Sequence, residues 1–477
     1  MNRGLRLNTA IRLLILLVVG ALASIPVSAQ STYVLTTSPS NLDAVVAGHG
    51  LTVVKELYEG NSGKFCVMLV SSPAVDVAAL LTEVQTDVLV TSFEPNQSAA
   101  LPELSGLTQA TLQQSTSAIL ETLPGRTVVS YYGSLVPSNY SDQAATEVIR
   151  LSDARSVTGI SGGGVVAIID TGVDTNHLAL VNVLVPGYNF IADSLDPSEL
   201  QDLPPATAAA LEQSTSAILE QSTSAILEGE LLVPLSPSTV AILDQSTSAI
   251  LEGGGIPQEF GHGTMVAGIV HLIAPTARIM PLKAFRADGT SDLAGIVTAI
   301  YYAVDHRANV INMSFSVAQS SPALHAAILY ALGRNVTVVA SSGNDGLKTF
   351  VYPASFDGVQ GVGSCTAGDL RSAFSNYGSD VTLFAAPGEG VITTYPSGLY
   401  AAGWGTSFSA PIMAGAAALV LQAHPGSKPG DIIDALSRGS KRIRDMRIGR
   451  IDLCLALTSL VGGACPAVPG SVPETDP

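Results

Sequence analysis

The sequence predicts an α/β protein with a doubly wound, mostly parallel sheet, preceded by a small α+β domain. From Ser161 onward, short continuous apolar runs alternate with longer amphipathic segments. This alternation indicates a parallel sheet covered by helices on both faces. Residues 30–95 have a different order of elements, strand, helix, strand, strand, helix, strand, which is the ferredoxin-like arrangement.

The larger domain is predicted to span residues 141–462, and its elements follow the change of hydrophobic period. Functional side chains of such sheets lie at the carboxyl ends of the strands. The predicted strands are 165–169, 278–284, 310–314, 337–340 and 381–385, and the predicted helices are 264–273, 293–305, 322–332 and 407–422. In the small domain we predict strands at 33–37, 51–57, 65–71 and 88–93, with helices at 42–47 and 75–84.

Composition narrows the class of protein. The chain has 477 residues and a net charge of −17 with only 22 Lys plus Arg, which excludes a nucleic-acid partner. Its 47% hydrophobic content and 13% charged residues indicate a well-buried globular chain.

The first 29 residues have the pattern of a signal peptide. Three arginines precede the apolar run 13–22, and Val27-Ser28-Ala29 fits a cleavage site of small residues. The run is too short to favour a membrane-spanning helix. We therefore expect an extracellular protein without a membrane anchor after cleavage.

Two stretches have the composition of connecting segments. Residues 96–140 are rich in Pro, Ser and Gln and are predicted to be a linker, and residues 463–477 a disordered tail. An octapeptide, QSTSAILE, begins at residues 114, 213, 221 and 245. The last three copies lie within 195–256, which we interpret as a surface insertion formed by repeat expansion.

Three segments carry the residue types of nucleophilic catalysis. Asp170 ends an apolar strand, His262 opens a helix rich in small residues, and Ser407 lies at the start of another apolar helix. A serine hydroxyl needs an imidazole to take its proton, and the imidazole needs a carboxylate to fix its tautomer. A helix start also stabilises negative charge. The chain order Asp, His, Ser is that of subtilisin.

These segments make residues from about 140 to 460 resemble the subtilisin-like serine proteases, the subtilase family. The resemblance implies that Ser407 is the nucleophile, His262 the general base and Asp170 the residue that orients it. Asn344, in the turn after an apolar strand, matches the family's oxyanion-hole asparagine. It further implies a secreted endopeptidase made as a zymogen and acting as a monomer, with residues 30–95 as its propeptide and inhibitor.

The resemblance also implies a substrate-binding segment, Ser314-Phe315-Ser316, that pairs with the backbone of a polypeptide substrate. The family usually has glycine where Ser316 stands, so we expect small or medium side chains at P1. No cofactor or metal ligand is predicted. Family members commonly bind calcium, but Ala179 occupies the position of a familiar ligand, and His177 and Asp174 are interpreted as structural.

The four cysteines allow three complete pairings. We predict a Cys454–Cys465 disulfide, which closes a short loop, and buried thiols at Cys66 and Cys365. A bond between those two could not persist once a propeptide is released.

Two other functions are compatible with parts of the sequence. Asp170-Thr171-Gly172 is an aspartic-protease signature, but no second copy is present and that chemistry needs two carboxylates. A non-catalytic, subtilase-like binding or adhesion protein is the other alternative, although all four catalytic positions are filled.

Overall fold

The computed structural model describes residues 31–60, 63–101, 127–205, 259–317 and 319–467. The chain divides into two compact units, residues 1–96 and 97–477. The predicted signal peptide and all four octapeptide copies lie outside the described residues.

The smaller unit has the predicted βαββαβ order. Its four strands form one antiparallel sheet in which the first strand lies between the third and the fourth. Tyr33 and Phe93 stack in its core with ring centroids 4.8 Å apart. The ferredoxin-like arrangement is therefore observed, with strands Ser31–Thr37, Thr52–Glu59, Cys66–Ser72 and Val90–Pro95 and helices Leu42–Gly48 and Val77–Gln85.

The larger unit is built on an eight-stranded sheet whose strand pairs are all parallel. The strand that ends at Asp170 lies in the interior of this sheet, as expected for a continuous apolar run. In spatial order the strands are Gly449–Arg450, Phe384–Pro387, Gln360–Cys365, Thr337–Ser341, Val310–Met313, Val165–Asp170, Arg278–Lys283 and Tyr188–Asn189.

Helices connect these strands in both directions along the sheet. The crossover through His262–Ile273 runs to one side of the Asp170 strand, and the crossover through Leu293–Asp305 returns to its other side. Right-handed crossovers that run in opposite directions place their helices on opposite faces, which makes the sheet doubly wound. The other helices of this unit include Ser138–Ser141, Ala144–Val148, Leu151–Thr158, Pro322–Gly333, Thr406–Ala423, Pro429–Ser437 and Leu453–Val461.

The helix Thr406–Ala423 is the centre of the core. Every side chain from Thr406 to Val420 is buried, and the helix packs closely enough that a Cβ at Gly415 would lie 2.6 Å from Cβ of Ile273. Among the described helices this one alone is long and apolar enough to cross a membrane, but 83% of it is buried inside the protein. Its apolar character is thus explained by its central position.

The structure corrects the described part of the predicted linker, residues 96–101 and 127–140. Residues 128–137 form an antiparallel hairpin of Val128–Tyr131 and Ser134–Pro137 instead of a solvated connection. The hydroxyl of Tyr140, which is fully buried, donates to the Gly268 carbonyl at 2.7 Å. Pro and Ser in this stretch indicated a linker, but its tyrosines supply enough apolar surface to dock it on the His262 helix.

The described part of the insertion is anchored at its base. A short 3-10 turn, Glu199–Asp202, precedes Leu203, and Leu203 belongs to the same small apolar cluster as Phe260. The cluster is completed by Ala287, Tyr395 and Leu399. We call it the neck of the insertion, because it brings Leu203, near the start of the predicted insertion 195–256, together with Phe260, just after its end.

The structure confirms the predicted cysteine chemistry. Cys454 and Cys465 form a disulfide with a Cα–Cα distance of 5.9 Å, and Cys66 and Cys365 are buried thiols. The bond ties the last helix, Leu453–Val461, to the segment that follows it. Residues 468–477 of the predicted disordered tail lie outside the described part of the chain.

Candidate active site

The predicted functional residues lie at strand ends and helix starts of the large sheet. Asp170 is the last residue of its strand, and Ser314 and Asn344 follow two neighbouring strands. His262 and Ser407 occupy the first turns of their helices, after Gly261 with φ +92° and Gly405 with φ +139°. Both glycines adopt a backbone conformation that other residues rarely tolerate, and this allows abrupt entry into each helix.

Asp170 and His262 form a buried pair. Nδ1 of His262 lies 2.7 Å from Oδ1 of Asp170, which also accepts the backbone N–H of Thr171 at 2.8 Å. Burial lowers the pKa of His262, but the attraction and hydrogen bond of Asp170 outweigh burial and raise that pKa to about 9. The carboxylate therefore both orients the imidazole and stabilises its protonated form.

Ser407 is buried, and the residue that follows it in the chain packs against His262. The ring of its neighbour Phe408 lies 5.7 Å from the His262 ring. The Ser407 hydroxyl donates to the Ser314 carbonyl at 3.2 Å, and the Ser314 hydroxyl donates to the Ser407 carbonyl at 2.9 Å. In this structure the hydroxyl proton is thus directed to Ser314 and not to His262. Catalytic hydrogen bonds often tighten only when substrate is bound.

Asn344 is held by the residue that precedes Ser407. Its Oδ1 accepts from both the backbone N–H and the hydroxyl of Thr406, each at 2.9 Å. Its Nδ2 lies close to the Ser407 turn, 3.2 Å from where a Cβ at Gly405 would stand. Fixing the oxygen of the amide leaves the NH₂ as the donor end of this side chain.

The segment Ser314-Phe315-Ser316 contributes mainly backbone to the site. Phe315 is fully buried and packs inward against Phe285 at 5.0 Å between ring centroids. Ser316 makes an antiparallel bridge to Ala100. The side chain of Phe315 therefore belongs to the core.

Residues 97–101 of the same unit form an extended strand against this segment, which sequence reasoning missed. Ser98–Ala100 pairs antiparallel with Thr290–Asp292, and Leu101 donates its N–H to the Gly289 carbonyl at 3.0 Å. The chain thus inserts a strand between Thr290–Asp292 on one side and Ser316 on the other. No motif marks residues 98–101, so the contact could not be predicted from spacing.

Sequence reasoning also missed Glu199, a fully buried carboxylate behind the Asp170–His262 pair. It accepts hydrogen bonds from Thr171, Gly263 and Thr264. A single glutamate inside a predicted insertion gives no signal of its own.

Asp174 and His177, which are interpreted as structural from the sequence, form hydrogen bonds with backbone groups. Asp174 accepts the backbone N–H groups of Asn176 and Ser397, at 2.9 and 2.8 Å. Nε2 of His177 lies 3.1 Å from the Leu399 carbonyl. Ala179 is buried and offers no side-chain ligand for calcium, and the described residues contain no cluster of three or more His, Cys, Asp or Glu suited to a metal.

The doubly wound sheet, with a serine, a histidine and a carboxylate at its strand ends and helix starts, defines the fold class of the subtilisin-like serine proteases. The model of the subtilase family matches residues 161–447. The chain therefore belongs to the subtilase family.

Several known proteins are similar to this chain. It is 30% identical over 319 residues to the thermophilic serine proteinase of Bacillus sp. (strain AK1), covering 64% of each chain. It is 34% identical over 198 residues to subtilisin DY of Bacillus licheniformis, covering 39% of this chain and 72% of that protein.

Among solved structures, fervidolysin from Fervidobacterium pennivorans, described as a keratinolytic enzyme related to subtilisin, matches with a TM-score of 0.61 at 20% identity. That match covers 92% of this chain and 61% of fervidolysin, and at this identity it supports the fold alone. The chain thus spans less than two thirds of the length of both fervidolysin and the strain AK1 proteinase.

Proposed function

We propose that this protein is a secreted serine endopeptidase, made as a zymogen, that cleaves polypeptides with Asp170, His262 and Ser407. The observation that carries the proposal is the buried pair of His262 and Asp170, 2.7 Å apart, next to a serine in the first turn of a buried helix. Its pairing with an imidazole argues against an aspartic-protease role for Asp170, which would require a second carboxylate.

In the proposed reaction, unprotonated Nε2 of His262 takes the proton of the Ser407 hydroxyl as the oxygen attacks the scissile carbonyl. His262 then gives that proton to the leaving amine, which breaks the peptide bond and leaves an acyl-enzyme for water to hydrolyse. Nδ2 of Asn344 and the backbone N–H of Ser407 stabilise the oxyanion. Asp170 keeps the imidazole in the required tautomer through its bond to Nδ1.

The pairing of residues 97–101 supports the proposal that a polypeptide substrate binds as an extended strand. This segment occupies the gap between Thr290–Asp292 and Ser316 through backbone pairing, which is how an extended polypeptide would add to the site. We propose Ser314-Phe315-Ser316 as one wall of the substrate cleft. Because backbone groups make the contacts, unfolded polypeptides of varied sequence would be accepted.

The same segment supports the proposal that the protein is made as a zymogen. Residues 97–101 follow the ferredoxin-like unit directly, so the chain that leaves that unit fills the proposed substrate groove. We propose that residues 30–95 act as a propeptide and inhibitor and that export depends on the signal peptide at 1–29. Secreted mature protein whose first residue lies upstream of residue 90 would contradict this part.

The proposed chemistry is tested by labelling with a fluorophosphonate probe, which reacts with activated serines. We expect the wild type to be labelled and Ser407→Ala not to be. Peptide hydrolysis that pepstatin inhibits would support aspartic chemistry, and an unlabelled, inactive wild type would support the binding or adhesion alternative.

A further inference from the structure

We propose that Glu199 is a positioning residue of the active site, whose buried carboxylate joins the end of the Asp170 strand to the first turn of the His262 helix. Its negative charge also stabilises the protonated imidazole formed during the reaction. This inference rests on the protease function proposed above. Glu199 lies at the start of the insertion and outside all three catalytic motifs.

One carboxylate reaches both halves of the Asp170–His262 pair. Oε1 of Glu199 accepts from the Thr171 hydroxyl and from the Gly263 N–H, the latter at 3.1 Å. Oε2 accepts from the Thr264 hydroxyl at 2.5 Å. Thr171 follows Asp170 in the chain, whereas Gly263 and Thr264 follow His262. Movement of either segment would therefore strain a hydrogen bond to Glu199.

The hydrogen-bond donors around Glu199 indicate which charge state of its carboxylate they stabilise. The Thr264 hydroxyl directs its proton to Glu199, and the Thr171 hydroxyl has Glu199 as its nearer acceptor and Oδ1 of Asp170 at 3.4 Å as its farther one. The Gly263 N–H, which Glu199 shares with the Thr171 hydroxyl, can only donate. The carboxylate therefore acts as an acceptor at both oxygens. Hydrogen bonds to an ionised carboxylate are about twice as strong as those between neutral groups, so the network is best satisfied when Glu199 is ionised.

Burial disfavours the ionised form of Glu199, and the positive charge of a buried lysine, Lys283, acts against this effect. Burial raises the pKa of Glu199 to about 7, while its bonds to Thr171 and Thr264 and the charge of Lys283 act in the opposite direction. Nζ of Lys283 donates to the Thr171 carbonyl and lies 2.7 Å from Oδ2 of Asp202. The charged or titratable groups that interact with Glu199 are Asp170, His262, Lys283 and Tyr395.

Close backbone packing fixes the geometry. A Cβ at Gly263 would lie 2.0 Å from the Gly172 carbonyl oxygen, and a Cβ at Gly172 would lie 3.2 Å from Cγ of Glu199. The N–H of Val173 donates to the Pro197 carbonyl at 3.0 Å, which fastens the Glu199 turn to the Asp170 segment. The carboxylate is thus held in a tight space.

The expected effect on catalysis follows from the charge. His262 becomes positively charged as it takes the Ser407 proton. The negative charges of Asp170, then Glu259, then Glu199 favour that form. Glu199→Gln retains the shape, removes the charge and replaces one acceptor by a donor. We expect kcat to fall about tenfold or more, because small displacements of catalytic groups are costly, while KM stays unchanged.

The pH profile separates this role from a purely structural one. The acid limb of kcat/KM reports the pKa of His262 in the free enzyme. Removing a negative charge that raises this pKa moves the acid limb to lower pH. Glu199→Asp keeps the charge with a shorter reach, so kcat should fall while the acid limb stays near its wild-type position.

Asp369→Asn is the matched control. Asp369 is another largely buried carboxylate of this unit, bound by Arg450 and by Lys441, the latter at 2.7 Å. Its loss should lower stability and leave both kcat and the acid limb unchanged. An equal shift of the acid limb in Asp369→Asn and Glu199→Gln would overturn the proposal, as would wild-type kcat and pH dependence in folded Glu199→Gln.

A second variant covers the case in which Glu199→Gln does not fold. Thr171→Val removes one bond to Glu199 without removing a charge, together with the longer bond to Asp170 at 3.4 Å and the one accepted from the Gly263 N–H. We therefore expect kcat to fall while the acid limb stays in place. Unchanged kcat in Thr171→Val would then overturn the positioning role. Different results would contradict the two proposals. A wild type that does not react with the fluorophosphonate probe contradicts the protease function. A reactive wild type whose Glu199 variants have unchanged kinetics contradicts only the role of Glu199.

Discussion

Thr406 binds Asn344 twice, through its backbone N–H and its hydroxyl, and both bonds end on the same amide oxygen at 2.9 Å. This arrangement links the proposed oxyanion donor to the turn that carries Ser407. The orientation of the amide is thus set by the residue that precedes the nucleophile.

Asn344→Ala should lower kcat with little change in KM, because the donor acts mainly on the oxyanion of the transition state. Loss of the corresponding donor in subtilisin lowers kcat by about 10²- to 10³-fold, and we expect the same order here. Thr406→Val, which retains only the backbone bond, should give a smaller loss. Steady-state kinetics with a peptide substrate measure both, and equal KM and kcat effects in Asn344→Ala would contradict the assignment.

The pH dependence of activity should reflect the Asp170–His262 pair. Since the pKa of His262 is raised to about 9 in the free enzyme, the imidazole is protonated below that pH and cannot accept the Ser407 proton. We expect kcat/KM to rise with pH until His262 has lost its proton, giving an alkaline optimum. Asp170→Asn should lower kcat strongly and move the acid limb to lower pH. An acid limb of the wild type near pH 5 would contradict this prediction.

Ser316→Gly should broaden the P1 preference. The resemblance to subtilases leads us to expect glycine at this position, and Ser316 itself makes the bridge to Ala100. Removing it should raise kcat/KM for a Phe substrate relative to an Ala substrate by about tenfold, the effect typical of added space in an apolar pocket. Ser316→Thr, with one more methyl group, should change the ratio in the opposite direction. No change in either variant would place the P1 side chain elsewhere.

Replacing both Cys454 and Cys465 by Ser should lower the free energy of unfolding by about 2–3 kcal/mol, because the disulfide closes only a short loop. Denaturant unfolding in a Ser407→Ala background avoids self-digestion. A reductant should destabilise the parent protein and Cys365→Ala alike, and should not affect the double serine variant. Sensitivity of the double variant to reductant would show that another pairing contributes.

Deleting residues 205–254 should leave secretion and turnover unchanged, because the neck formed by Leu203, Phe260 and their neighbours holds the flanking segments independently of what lies between them. Shortening such a loop also reduces its closure entropy slightly. In contrast, Phe260→Ala should destabilise the protein by about 3 kcal/mol through loss of a buried aromatic ring. Loss of turnover in the folded deletion variant would assign a function to the repeats.

The sequence was most informative where chemistry and local structure coincide. Asp170, His262 and Ser407 each lie in a short motif, since a strand end or helix start is needed to present the side chain. The helix Leu293–Asp305 was predicted with its observed bounds because its apolar period is regular.

The errors arose where tertiary contacts decide the structure. The strand Gln360–Cys365 was missed because its glycines have low strand propensity, yet a Cβ at Gly361 would lie 2.4 Å from the Val381 carbonyl. The following strand begins at Phe384 instead of Val381. Glu199 and residues 98–101 are far in sequence from the site residues that they contact. A local sequence pattern cannot predict such contacts.

The disulfide lies wholly within residues 97–477, and the two remaining cysteines are thiols in different units. The polypeptide backbone is therefore the sole covalent connection between the ferredoxin-like unit and the rest of the molecule. A single scission of that backbone is enough to break the covalent link between them, even in an oxidising medium, with no need for a reductant or for disulfide exchange.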